Sequence, residues 1–362
     1  MGGSARVALH VLGLLHEMGY RTILVAVEPT KWDRVQRITG INVRADEERP
    51  VFPFKVRYFG IYARLLTAYK LSRLKNKGLC DLTINTHGDV LPVGTDITYM
   101  HYPTFAIFET QYVNEKYNKS WFWKLYIKPY ILMQKQILSR FETKVLVTNS
   151  EYSRQAIIKY TDIEPIVVYP PVDIDDFIKV AGNRDREYRV VSCGRYSPEK
   201  RYEDVLNVAG KLPRARFTII GSLSGKVSKP YVEKLRDMKK RLHLDNVDIL
   251  VDVPRDEQVE IYGKSMVFLH PMRGEHFGIA VVEAMASGLV PVVHKSGGAW
   301  LDIVNRGMYG FGFDEHKIAS AVMNALLSYN SYRDKVIERA RMFDENMFKS
   351  KMREIIEGVA RR

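Results

Sequence analysis

Gly274-Glu275-His276-Phe277-Gly278-Ile279-Ala280-Val281-Val282-Glu283 follows the apolar run Val267 to His270 and continues, apolar again, through Ala286. A short branched and aromatic run, a loop holding two glycines and a longer apolar stretch read as strand, turn and helix. Backbone N–H groups of Phe277, Gly278 and Ile279 then form a helix N-terminus, where the macrodipole and unpaired donors favour an anion such as a diphosphate. Gly278 lets that backbone approach closely. Glu275, in the loop, is placed to accept hydrogen bonds from sugar hydroxyls, and Glu283, two turns along, those of a ribose. The plainer alternative makes Glu275 a first-turn dipole partner and Glu283 a surface residue.

Outward from this stretch, strands are expected at Arg189 to Cys193, Phe217 to Ile220, Asp248 to Val251 and Val290 to Val293, with helices between them. Alternation of this kind predicts a doubly wound α/β domain, which binds ligands at the carboxyl ends of its strands. Gly194-Arg195-Tyr196-Ser197-Pro198-Glu199-Lys200 lies at one such end. Arg195 brings a planar fork suited to phosphate oxygens and Lys200 a point charge, unless both are surface cations at a helix start. Gly221 and Ser296-Gly297-Gly298 follow two further strands, as phosphate-approach turns or as helix-entry loops.

The first half alternates as well. Val7, Ala8, Val11, Leu12, Leu14, Leu15 and Met18 have helical spacing, and Gly19 ends that helix. Strand-like segments follow at Thr22 to Val27, Leu82 to Asn85, Ile97 to Met100 and Val145 to Thr148. A glycine turn in such a unit normally follows a strand, yet only Met1 precedes Gly2, so the usual first strand is expected to be missing through truncation or replacement. Pro170-Pro171, within Val167 to Asp173, suit neither a strand interior nor a helix and mark an interdomain linker. Ser331 to Arg362 reads as helical, with both charge signs, and is expected to pack back on the first domain.

The order and spacing of these elements make the second half resemble glycosyltransferase family 4. That family's donor site uses an Arg and a Lys about five residues apart, an E-x7-E element and a small-residue turn after the next strand. Arg195 and Lys200 match the basic pair, and Glu275 and Glu283 the E-x7-E spacing. The likeness reaches the first half through Gly2-Gly3-Ser4-Ala5-Arg6, Val147-Thr148-Asn149-Ser150 and Pro170-Pro171-Val172-Asp173. It implies the GT-B fold, two Rossmann-like domains facing each other across a cleft. Residues 1–170 would form the acceptor side, 171–344 the nucleotide-sugar domain and 345–362 the returning helix. Within the family, His101-Tyr102-Pro103-Thr104 and Gly274 to Gly278 are similar to the eukaryotic α-1,2-mannosyltransferases that extend dolichol-linked oligosaccharides. The resemblance implies GDP-mannose as donor, a polyprenyl-linked glycan as acceptor, His101 near the transferred sugar and Gly2-Gly3 bordering the donor phosphates. It assigns His101, Arg195, Lys200 and Glu275 to catalysis, with retention of configuration; a UDP-sugar donor or an epimerase of the same architecture are the alternatives.

Composition narrows the classes. The net charge of +13 calls for an anionic partner, and residues 1–170 carry 23 Lys and Arg against 15 Asp and Glu. No nucleic-acid module is recognisable, so nucleic acid is not the expected partner. Asn118 to Met133 interleaves Trp121, Trp123, Tyr126 and Tyr130 with Lys119, Lys124 and Lys128, as suits an anionic membrane surface, unless the aromatics are core and the lysines a wet face. No apolar run approaches a membrane span, and His10, His16 and Glu17 interrupt the one candidate signal segment. Cys80 and Cys193 lie far apart with no metal-site spacing, which fits a reducing interior. A cytoplasmic protein, peripheral on the cytoplasmic face of a membrane, is expected. Asp173-Ile174-Asp175 matches the short acidic pattern of metal-using transferases but falls on the linker, where a solvated hinge is expected. No metal or other cofactor is called for, since cations and a helix N-terminus can neutralise a leaving diphosphate.

Overall fold

The computed structural model describes residues 3–56, 60–88, 93–103, 121–138, 141–161 and 163–361. The chain splits into two compact units, Met1–Pro171 with Asn346–Arg362, and Val172–Glu345.

The first unit runs α1 (Gly3–Glu17), β1 (Ile23–Leu24), α2 (Trp32–Thr39), β2 (Glu47–Glu48), α3 (Gly60–Leu65), α4 (Thr67–Asn76), β3 (Ile84–Asn85), β4 (Thr95–Met100), α5 (Trp121–Leu138), β5 (Thr143–Thr148), α6 (Glu151–Thr161) and β6 (Ile166–Val167). Its main sheet is parallel in the order β3-β4-β5-β6, with β1 and β2 a separate parallel pair. The strand-like run Thr22 to Val27 contributes two residues only, because its partner β2 is equally short and sits in the polar stretch Asp46-Glu47-Glu48. Val167, assigned to the linker by sequence, instead joins Ile166 in an edge strand that pairs with Val147 and Thr148, and the prolines follow it. Every residue of β4 is buried.

The second unit runs α7 (Asp175–Ala181), β7 (Arg189–Arg195), α8 (Tyr202–Lys211), β8 (Arg216–Ser222), α9 (Ser228–Arg241), β9 (Val247–Val251), α10 (Arg255–Gly263), β10 (Val267–His270), α11 (Ile279–Ala286), β11 (Val290–His294), β12 (Phe311–Phe313), α12 (Ile318–Leu327) and α13 (Tyr329–Arg341). Its six strands are parallel in the order β12-β11-β10-β7-β8-β9. Val267 and Leu269 of β10 join one core cluster with α8, α9 and α12, while Phe268, between them, meets Tyr262 of α10 on the other face at 5.9 Å. Helices therefore cover both faces, which is why the strands read as continuous apolar runs. The strand order reverses between β7 and β10, so a crevice opens at their carboxyl ends.

The helical segment Ser331 to Arg362 is two helices, α13 and α14 (Glu345–Ala360). They separate because Phe343 and Asp344 are drawn out to pair with Val172, whose N–H donates to the Phe343 carbonyl at 3.2 Å. Phe348, Met352, Ile356 and Val359 of α14 share a buried cluster with Val7, Val11 and Leu14 of α1 and with Ile97, Tyr99 and Val147 of the first sheet.

Candidate functional site

The two strands that flank the switch point supply the central cluster. β7 ends at Arg195, and a 3-10 turn at Pro198–Lys200 directs Lys200 inward. Lys200 Nζ lies 2.9 Å from Glu275 Oε2 and 3.2 Å from Met272 Sδ. His270, the last residue of β10, places Nε2 3.2 Å from the same carboxylate oxygen. Burial on its own would push the Glu275 carboxyl up, but the Lys200 charge and then the His270 hydrogen bond outweigh it and hold the group well below the usual carboxylate range. Burial pushes His270 and His276 down, so neutral His270 donates its Nε2 proton to Glu275.

Immediately after Glu275 the chain enters α11. Gly278 adopts φ 114°, closed to residues with a side chain, and its carbonyl accepts from Val281 N–H at 2.9 Å. Phe277 is buried edge-on against Phe343, their centroids 5.5 Å apart. Glu283 is buried, so the surface alternative fails for it. Arg255 of α10 approaches it to 3.9 Å, lies over the Phe177 ring at 4.7 Å, and pairs with Asp173 at 2.9 Å and Asp176 at 3.3 Å. Of the acidic pair on the linker, Asp173 holds Arg255 while staying about half exposed, and the exposed Asp175 opens α7. Among the described residues no cluster of three or more His, Cys, Asp or Glu is disposed to hold a metal.

Two turns take their shape from what packs on them. Gly221 is not shaped for phosphate: the Tyr196 ring lies across it, 2.4 Å from where a Cβ would stand, with the Tyr196 hydroxyl donating to Leu250 O at 2.7 Å. Ser296 to Gly298 packs on the Glu275 loop itself and leads into a π-helical turn at Ala299–Ile303.

Of the remaining candidates, Arg195 is half exposed, with Glu199 at 3.7 Å, and does not join the Lys200–Glu275 pair. Lys200, Glu275, Phe277, Gly278 and Ile279 are gathered around the start of α11, with Glu283 further along it. His101 and Gly3 belong to the first unit. His101 follows β4, its Nε2 3.1 Å from Thr86 O, and Gly3 is the exposed first residue of α1. Gly2, Thr104, Asn118 and Lys119 lie outside the described residues, as do the side chains of Trp123 and Lys124. Sequence reading missed His270 and Arg255. A polar residue closing an apolar strand, five before Glu275, is a legible sign of the first; Arg255 gives none, since its partners lie 28 or more residues away.

Two parallel α/β units, with a cation–carboxylate cluster at the switch point of the second, define the class: the fold is the GT-B fold of glycosyltransferases. Residues 173–343 match the family model described as Glycosyl transferases group 1. The particular relatives are consistent with one another. The chain is 28% identical over 221 residues to a Dictyostelium discoideum GDP-Man:Man(3)GlcNAc(2)-PP-Dol alpha-1,2-mannosyltransferase, covering 56% of this chain and 43% of the relative. It is 30% identical over 175 residues to the Homo sapiens protein of the same description, covering 44% and 36%. The matched stretches thus take up less than half of either relative's length. Among solved structures, WaaG, a glycosyltransferase involved in lipopolysaccharide biosynthesis, superposes with a TM-score of 0.68 at 15% identity, covering 99% of this chain and 97% of that one. Anabaena Alr3699/HepE, in complex with UDP and glucose, gives 0.67 at 16%, covering 96% and 95%. At these identities the likeness is one of fold.

Proposed function

We propose that the chain transfers a hexose, mannose from GDP-mannose, to a lipid-linked glycan with retention of configuration and without a metal ion. The observation that carries this reading is Glu275, 17% exposed and held ionised by Lys200 and His270 at the mouth of α11, with Glu283 buried on the same helix. The donor and acceptor classes follow the descriptions of the relatives, which specify GDP-mannose and a dolichol diphosphate glycan.

In this reading the bond from the anomeric carbon to the β-phosphate oxygen breaks while the acceptor oxygen bonds to the same face of the sugar. The acceptor proton leaves with the diphosphate. Negative charge grows on the diphosphate oxygens, and Lys200, Arg195 and the N–H groups that open α11 meet it. Lys200 has three donors and serves Glu275 and a phosphate together. Arg195 turns from its loose contact with Glu199. Glu275 receives sugar hydroxyls and Glu283 a ribose. Neither works as a glycosidase acid, since Glu275 is held ionised and a general acid must carry its proton. His101, at the carboxyl end of β4, serves the transferred sugar.

Among the described residues no helix is long and apolar enough to cross a membrane. The lipid-linked acceptor is reached peripherally, on the cytoplasmic face, through α5. Tyr126 and Tyr130 turn inward to Tyr62, at 5.5 and 5.6 Å, so the aromatic interleaving does not form one face. Trp121, Leu125, Lys128, Leu132 and Lys135, all exposed, do fall on one stripe of the helix, within about 80° at 100° per residue.

The test supplies radiolabelled GDP-mannose, in EDTA, with a dolichol diphosphate-linked mannosylated glycan in vesicles. Label entering the lipid extract in an α-linkage is expected, with Glu275→Gln slower by at least about 100-fold. Transfer from UDP-glucose alone would replace the donor assignment, and no transfer from either donor would overturn the reading.

A further inference from the structure

The Glu275 loop is held by the turn that follows the neighbouring strand. Gly274 N–H donates to Ser296 Oγ at 2.8 Å, and Gly298 N–H donates to the Glu275 carbonyl at 2.7 Å. Ser296 Oγ is also 2.7 Å from His294 Nδ1. His294, the last residue of β11, is buried with its ring edge-on to Phe313 of β12, centroids 5.5 Å apart. The hydroxyl thus bridges the Gly274 amide and the imidazole, and the His294 tautomer sets which of Oγ and Nδ1 donates. The glycines complete the grip. A Cβ on Gly297 would stand 2.3 Å from Glu275 O, and one on Gly298 2.2 Å from His276 O, so the two backbones touch with nothing between them.

We propose that His294 and Ser296 are positioning residues, a strut anchored in the sheet that fixes the Gly274 to Gly278 loop and so aims the Glu275 carboxylate at the donor sugar. Without it, the Lys200 and His270 contacts act on a carboxylate whose loop has lost its Gly274 anchor on Ser296. The aiming part rests on the proposed donor reading; the strut itself does not. Ser296 has no place in the diphosphate contacts, which belong to Arg195, Lys200 and the start of α11. Loss of its hydroxyl therefore selects against the sugar rather than against the nucleotide.

The experiment uses the full chain with Ser296→Ala, which removes both side-chain bonds, and Ser296→Thr, which keeps the hydroxyl. Hydrogen exchange of the unliganded protein reads the strut directly. Ser296→Ala is expected to speed exchange at the Gly274 and Gly298 amides about tenfold, the scale of one lost hydrogen bond, and to leave β7 and β8 unchanged. Titration of GDP and GDP-mannose, with UDP and UDP-glucose in parallel, reads the aim. In Ser296→Ala the nucleoside diphosphate is expected to keep its affinity within about twofold while the preference for the sugar nucleotide drops about tenfold, and Ser296→Thr stays near the wild type. Unchanged exchange in Ser296→Ala, or the same loss in Ser296→Thr, overturns the strut. Accelerated exchange with an unchanged affinity ratio overturns the aiming role. Accelerated exchange in Ser296→Ala, together with a wild type that binds none of the four nucleotides, supports the strut and contradicts the donor reading instead.

Discussion

Lys200 and Glu275 are each shielded from solvent, at 16% and 17% side-chain exposure, so their pairing belongs to the class in which removing one partner leaves a buried charge uncompensated. Lys200→Met is expected to lower the unfolding free energy by about 3 kcal/mol, and adding Glu275→Gln to recover at least about 1 kcal/mol of it. Strictly additive losses in urea unfolding would show that the two do not interact. Both residues were legible in the sequence from spacing and from their place after strands. The third member, His270, was passed over although a polar residue closing an apolar strand marks it, because its contact with Glu275 depends on how the turn between them folds back. Gly221 shows the opposite error: a glycine after a strand looks like a phosphate turn, but here it makes room for the Tyr196 ring.

At the scale of the element, three helices end on one buried side chain. Arg186 donates to Val180 O and Ala181 O at the end of α7, to Tyr262 O at the end of α10 and, at 2.6 Å, to Ser287 O just past α11. Last-turn carbonyls lack helical partners and carry the negative end of the dipole, so a single cation satisfies three termini. Arg186→Met is expected to destabilise the chain by about 3 kcal/mol or more, read as a lower urea midpoint; a shift under about 0.5 kcal/mol would contradict that role. No pattern in the sequence announces such a residue, since its hydrogen bonds go to backbone carbonyls. The stripe on α5 makes a second prediction at this scale. Trp121→Ser with Leu125→Asp is expected to lower binding to vesicles containing anionic lipid about tenfold or more without changing thermal stability. Binding that survives the pair places the lipid contact elsewhere. Strands of four or more residues were readable from their apolar runs, whereas the three-residue β12 and the two-residue β2 and β6 were not, because elements that short have no periodicity to read.

For the whole molecule, the burial that orders the site sets a pH dependence. Burial pushes His270, His276 and His294 below the ordinary 6.5, so the unfolded chain binds more protons than the folded one as pH falls through that value. Stability is therefore full above about pH 6.5 and declines below it, with Glu275 adding a further loss below about pH 4.5. The urea midpoint is expected to be lower at pH 5.5 than at pH 7.5, and a midpoint that is level or rises would contradict the buried neutral imidazoles. The second unit, its switch point and the helix α11 were the most legible part of the chain, because five of the six strands in its parallel sheet repeat one apolar pattern. The central claim is that this switch point holds a nucleoside diphosphate sugar, and calorimetric titration of GDP, UDP and ADP into the full chain in EDTA tests it most directly. The account predicts GDP binding that weakens at least about tenfold in Glu283→Ala; binding of no nucleotide, or GDP binding indifferent to Glu283, would contradict it.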